Sequence, residues 1–147
     1  MKRFSFSLQK LLDLRAFREK QAELELGRAN GARDAIKLEL DEVAQKRVSA
    51  SMERRGALPV QDLLAIERYI TRLDVRKEKL LEDLAAAELV VERRRAEYLE
   101  ASKDRQVISK LREKKESAWR GKYLAEEAAV LDDIVNARGN GVDESGQ

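Results

Sequence analysis

Apolar side chains recur along this chain at alternating spacings of four and three residues, in two long runs separated by one short interruption. The first run passes through Leu8, Leu12, Arg15, Glu19, Ala22, Leu26, Ala29, Arg33, Ile36, Leu40, Val43, Arg47 and Ala50, and nine of these thirteen positions are apolar. The second passes through Leu63, Ile66, Ile70, Leu73, Lys77, Leu80, Leu84, Ala87, Val91, Arg94, Tyr98 and Ala101, with ten of twelve apolar. Such spacing lays a single apolar seam along one side of an α-helix. Beyond Ala101 the same register continues as Arg105, Ile108, Arg112, Lys115, Trp119 and Lys122, so the seam is expected to fail there.

The interruption holds Gly56 and Pro59, the one proline of the chain. A proline fits the first turn of a helix, where its missing N–H would have had no intrahelical partner. Asp62 then complements the positive end of the helix dipole. At the other end, Phe4 and Phe6 precede Ser7 and suit a hydrophobic staple at a helix start. The pattern predicts helix 1 over about 5–54, a bend over about 55–59 and helix 2 over about 60–137. Gly139 is a candidate residue for ending helix 2, and 139–147 reads as a polar, disordered tail.

Two long helices with a short link pack antiparallel. The expected fold is therefore all-α, a single coiled-coil hairpin over residues 1–138 with the second helix longer and overhanging. A bend centred near residue 58 sets Leu8 opposite Ile108. Residues 110–137 then project as a single helix roughly 40 Å long.

Composition agrees with a rod. Charged residues make up 39% of the chain and aromatics 5%, which suits a narrow seam rather than a thick core. The chain has no cysteine and no histidine. Disulfides, thiolate nucleophiles and Cys/His zinc sites are excluded, and the commonest acid–base side chain is missing. The neighbours Asp132 and Asp133, like Glu126 and Glu127, diverge on a helix and form no catalytic pair. No Gly-rich phosphate loop, Walker motif or EF-hand pattern occurs. The expectation is no enzyme, with no catalytic, cofactor-binding or metal site. Charges at Lys10, Asp13 and Arg15 leave no room for the apolar stretch of a signal peptide. No apolar run is long enough for a transmembrane segment, and a net charge of +2 gives no general bias toward nucleic acid.

Charge is nevertheless unevenly spread. Residues 1–20 carry six basic and two acidic side chains, and residues 103–122 carry eight and three. An antiparallel hairpin brings both to its open end. Residues 123–147 carry six acidic side chains against one arginine. The run Arg93-Arg94-Arg95, beside Glu92 and Glu97, reads as a solvated face. The expected overhang also holds Trp119, the only tryptophan, and Tyr123 on the same face four residues on. Leu124, Ala128, Leu131 and Ile134 recur at helical spacing as one apolar stripe. Exposed stripes of this kind mark partner contacts. The competing arrangement has Phe4, Phe6 and Phe17 folding back over Trp119.

Three segments resemble the flagellar type III export protein FliJ family. Phe4-Ser5-Phe6-Ser7-Leu8-Gln9-Lys10-Leu11-Leu12-Asp13-Leu14-Arg15, with Glu19 and Ala22, resembles the family's opening. Pro59-Val60-Gln61-Asp62, followed by Tyr69, Ile70 and Leu73, is similar to the start of its second helix. Leu111-Arg112-Glu113-Lys114-Lys115, then Tyr123, Glu126, Ala129, Leu131, Asp132, Asp133 and Ile134, resembles its ending. The three span almost the whole chain in matching order. Trp119 departs from the family pattern.

The resemblance implies a coiled coil similar to the central stalk of rotary ATPases, working in bacterial flagellum biogenesis and protein export. It implies a cytoplasmic protein, peripherally associated with the inner face of the membrane at the flagellar base. The implied partners are the export ATPase hexamer, the cytoplasmic domain of the export gate protein and export chaperones, with no nucleic acid. A related stalk occurs in virulence-type secretion systems. Leu111, Arg112, Lys115, Trp119, Tyr123, Leu124 and Leu131 are the expected ATPase-ring contacts, and Tyr69, Arg72 and Arg76 the expected gate contacts. The alternatives are a structural coiled-coil adaptor or stalk subunit of another ATPase or secretion complex, and a nucleic-acid-binding hairpin using residues 103–122.

Overall fold

The computed structural model describes residues 3–143. Two α-helices make up nearly all of it, α1 (Gln9–Glu53) and α2 (Val60–Asp143), joined by residues 54–59. The result is an all-α helical hairpin, with no strand among the described residues.

Backbone hydrogen bonds show why the helices begin and stop where they do. At the start of α1 the Gln9 N–H donates to the Phe6 carbonyl (3.1 Å) and the Leu12 N–H to the Leu8 carbonyl (2.9 Å). The helix therefore starts at Gln9, a turn later than residue 5, and Phe6 is buried just outside it. At the end of α1 the Arg55 and Gly56 N–H groups reach back three residues, to Met52 and Glu53 (3.2 Å each). Such bonds tighten a last turn and satisfy its free carbonyls. The Pro59 carbonyl accepts from the Leu63 N–H (3.0 Å), so the proline stands at the cap of α2. No described glycine has a positive φ. The bend thus rests on the proline rather than on a left-handed glycine.

The chain divides into two compact units, residues 17–102 and residues 3–16 with 103–143. The first unit contains the link. Its core cluster is Val43, Leu73 and Leu80, with Ile36 and Leu40 packed against it. Ala29, Ala50, Ile70 and Val91 are also buried. Leu26, Ile66, Leu84 and Tyr98 are half-buried and Leu63 is more open. Arg54 pairs with Glu67 (2.8 Å), Arg47 with Asp74 (2.7 Å) and Arg76 with Glu39 (2.7 Å) across the helices. Numbers fall along α1 as they rise along α2, so the helices run antiparallel. A bend centred at residue 58 would have set Arg54 opposite Asp62. Its ion-pair partner Glu67 lies about one turn further along α2, whereas Glu39 and Arg76 keep the spacing that a bend at 58 sets.

In the second unit Leu12 and Leu11 are half-buried, Leu8 is more open and Ile108 is buried. Gln9 accepts a hydrogen bond from the Arg112 side chain (3.0 Å), which reaches it from about one turn beyond residue 108. The seam expected to fail after Ala101 continues. Arg105, Arg112, Glu116 and Trp119 are all half-buried. Arginine can lie in a seam because its long apolar stem packs while its guanidinium reaches a polar group. Arg15, for example, donates to the Asp104 carbonyl (2.9 Å). Unpaired helix therefore begins near residue 120 instead of residue 110.

α2 does not stop at Gly139. It runs on to Asp143, so residues 139–143 of the expected tail are helical; residues 144–147 lie outside the described residues. An interior glycine costs a helix about 1 kcal/mol relative to alanine but does not forbid it, and no proline follows to enforce a stop.

Candidate functional site

The seven residues expected to meet an ATPase ring fall into two groups. Leu111, Arg112 and Trp119 are engaged within the chain. The Phe4 ring lies against Trp119, centroids 6.1 Å apart and planes tilted by 53°. The Arg112 guanidinium sits 5.6 Å from the Phe4 ring centre. It also pairs with Glu116 (3.4 Å) and donates to Gln9. A short segment ahead of α1 thus acts as a strap across this part of α2. Trp119 is therefore half-buried against Phe4 and not freely exposed on an unpaired helix. Of the three phenylalanines, Phe4 covers it, Phe6 is buried, and Phe17 remains 60% exposed.

Lys115, Leu124 and Leu131 are exposed, Leu124 at 62% and Leu131 at 61%. Tyr123 is half-buried and stacks on Trp119, 5.5 Å between centroids with the planes 9° from parallel. Its hydroxyl donates to the Glu127 carboxylate, and that hydrogen bond, together with the carboxylate's negative charge, pushes the phenol pKa up. From Leu124 to Asn140 every side chain is exposed. The apolar members Val130, Ile134 and Val135 add to the stripe of Leu124 and Leu131. An amphipathic helix that no other described residue covers offers a docking surface and no enclosed chemistry.

The expected gate contacts lie in the other unit. The Arg72 guanidinium is 6.0 Å from the Tyr69 ring centre, a cation–π distance. Tyr69 borders a shallow surface groove with Glu42, Lys46 and Glu53. Arg72 borders another with Leu64, Arg68 and Thr71. Arg76 is engaged across the hairpin with Glu39 and stands apart from this pair.

A family profile described as Flagellar FliJ protein matches residues 4–141, from the strap through the uncovered length of α2. The chain belongs to the flagellar FliJ protein family. Membership makes it a flagellar export-associated protein, whose partners lie in the export apparatus. Comparison with curated proteins and with solved structures gives no match. Among the described residues no helix is long and apolar enough to cross a membrane.

Family membership gives the strap a wider meaning. Phe4 is the first residue matched, so the aromatic contact it makes with α2 falls inside the family region. The pairing is the competing arrangement that the sequence offered, in which Phe4, Phe6 and Phe17 fold back over Trp119, and Phe4 is the ring that makes it. The Phe4-Ser5-Phe6 motif was the available signal. Glu116, which holds both Arg112 and Arg120 (3.4 Å each), was missed because a lone glutamate in a basic run has no distinguishing pattern.

Proposed function

We propose that the protein is a non-enzymatic, cytoplasmic component of the flagellar export apparatus. It acts as a stalk-like coiled coil between the export ATPase ring and the export gate, held peripherally at the membrane face of the flagellar base. One observation carries the reading: from Leu124 to Asn140 α2 is a helix whose side chains no other described residue covers. A ring of subunits has a narrow axial channel that admits one helix where a globule would not fit. Leu124 and Leu131 supply apolar contact, and the basic residues from Lys103 to Lys122 supply charge near the mouth. Arg112 and Trp119, held under the strap, and the half-buried Leu111 brace the base of that helix. Tyr69 and Arg72 are the gate contacts favoured by exposure and mutual contact. Arg76 supports them by fixing the hairpin through Glu39.

Truncation after Tyr123 tests the reading, because it keeps the strap and the Trp119–Tyr123 stack and, among the described residues, removes only exposed side chains. Loss of export-ATPase binding with an unchanged hairpin melting transition is the expected result. Undiminished ATPase binding refutes the insertion. Tyr69→Ala is expected to weaken gate binding and spare ATPase binding; a variant that binds both partners normally removes the gate assignment.

A further inference from the structure

One side of the last part of α2 carries a charge pattern that is its own complement when reversed. Lys115, Lys122, Glu126 and Asp133 follow one another at spacings of seven, four and seven residues. These spacings keep them on one side of a helix. All four are exposed, and the ion pairs of this region, Arg112–Glu116 and Arg120–Glu116, do not involve them. Ala118, Ala125 and Ala129 lie along the same side and are exposed. The strap and the start of α1 occupy the adjoining face, at Arg112 and Trp119, and leave the Lys115 side open.

A second copy of this helix, turned end for end about an axis near residue 124, sets Lys115 against Asp133 and Lys122 against Glu126. The two-fold axis produces each pair twice. Parallel pairing would instead bring lysine to lysine and carboxylate to carboxylate, which selects against it. The alanines reduce the separation at which two helices can pack. We propose that residues 115–133 of α2 bind the same segment of a second copy of this chain as an antiparallel, two-fold pair. The assignment rests on the charge pattern and the uncovered face, and it describes the chain outside a ring, since a channel that admits one helix has no room for the pair.

The chain has no cysteine, so a single introduced one reports this geometry without background. In the antiparallel pair, residue 125 lies about 3 Å along the axis from its mate, whereas the two copies of residue 118 lie about 18 Å apart. A disulfide needs Cα atoms within about 7 Å. The full chain carrying Ala125→Cys is expected to cross-link under mild oxidation, and the chain carrying Ala118→Cys is not. Sedimentation of the unsubstituted chain is expected to show a dimer that weakens with salt. Lys115→Asp or Asp133→Lys, added to Ala125→Cys, lowers the cross-linked yield several-fold, and the two reversals together restore it. Equal cross-linking at 118 and 125, a monomer at every protein concentration, or failure of the double reversal to restore the yield overturns the proposal.

Discussion

The Phe4 ring rests against Trp119 with centroids 6.1 Å apart, tying a residue ahead of α1 to a residue deep in α2. Trp119 is the only tryptophan, so its emission reports its own surroundings, the Phe4 contact among them. Aromatic pairs of this geometry contribute about 0.5–1.5 kcal/mol beyond their buried area. Phe4→Ala is expected to shift tryptophan emission to longer wavelength and to lower stability by about 1 kcal/mol. Emission unchanged by the substitution would show that the strap does not cover Trp119 in solution.

The seam near the link should carry most of the stability of its unit. Leu80 is 2% exposed within the cluster of Val43 and Leu73. Leu80→Ala removes a side chain that the two helices cannot collapse to replace, at a cost of about 2–5 kcal/mol. Its neighbour Leu81 is 42% exposed, and Leu81→Ala should change stability by under about 1 kcal/mol. Thermal and denaturant unfolding followed by circular dichroism distinguish the two. Equal losses at both positions would mean that the seam lies elsewhere.

The hairpin was legible because it depends on local rules. Alternating four and three spacing marks two amphipathic helices, and one proline separates them. Where pairing stops was not legible. It depends on whether the basic positions after Ala101 pack, and a count of apolar side chains does not encode that. The half-burial of Arg105, Arg112 and Trp119 also escaped a reading that scored charged positions as seam failures. An arginine stem and a guanidinium hydrogen bond, as at Arg112 and Gln9, make a basic residue serve as packing. Gly139 misled in the opposite direction, since a glycine permits a helix end without imposing one. The exposure of Leu124 and Leu131 follows from the inequality of the two arms, which the position of Pro59 did reveal.

The Arg47–Asp74 pair gives stability a pH dependence of known sign. A hydrogen bond from Arg47 (2.7 Å) holds the Asp74 carboxyl below its usual range. A depressed folded-state pKa means that the contribution is present above the ordinary carboxylate pKa. It is lost as pH falls through the lowered value. Asp74→Asn removes this term. Unfolding midpoints of the two proteins should differ at neutral pH and converge in strong acid, and added salt should narrow the difference at neutral pH. A difference that does not change with pH would assign the effect of the substitution to packing.

The central claim is that the uncovered end of α2 exists for a partner. Leu124 and Leu131 are both exposed, so Leu124→Asp with Leu131→Asp alters the docking stripe without disturbing either packed unit. The decisive measurement is the affinity of this double variant for the purified export ATPase, taken beside its melting curve. The account predicts at least a tenfold loss, about 1.4 kcal/mol, with the melting curve of the unsubstituted protein. Full affinity with the same melting curve would contradict it.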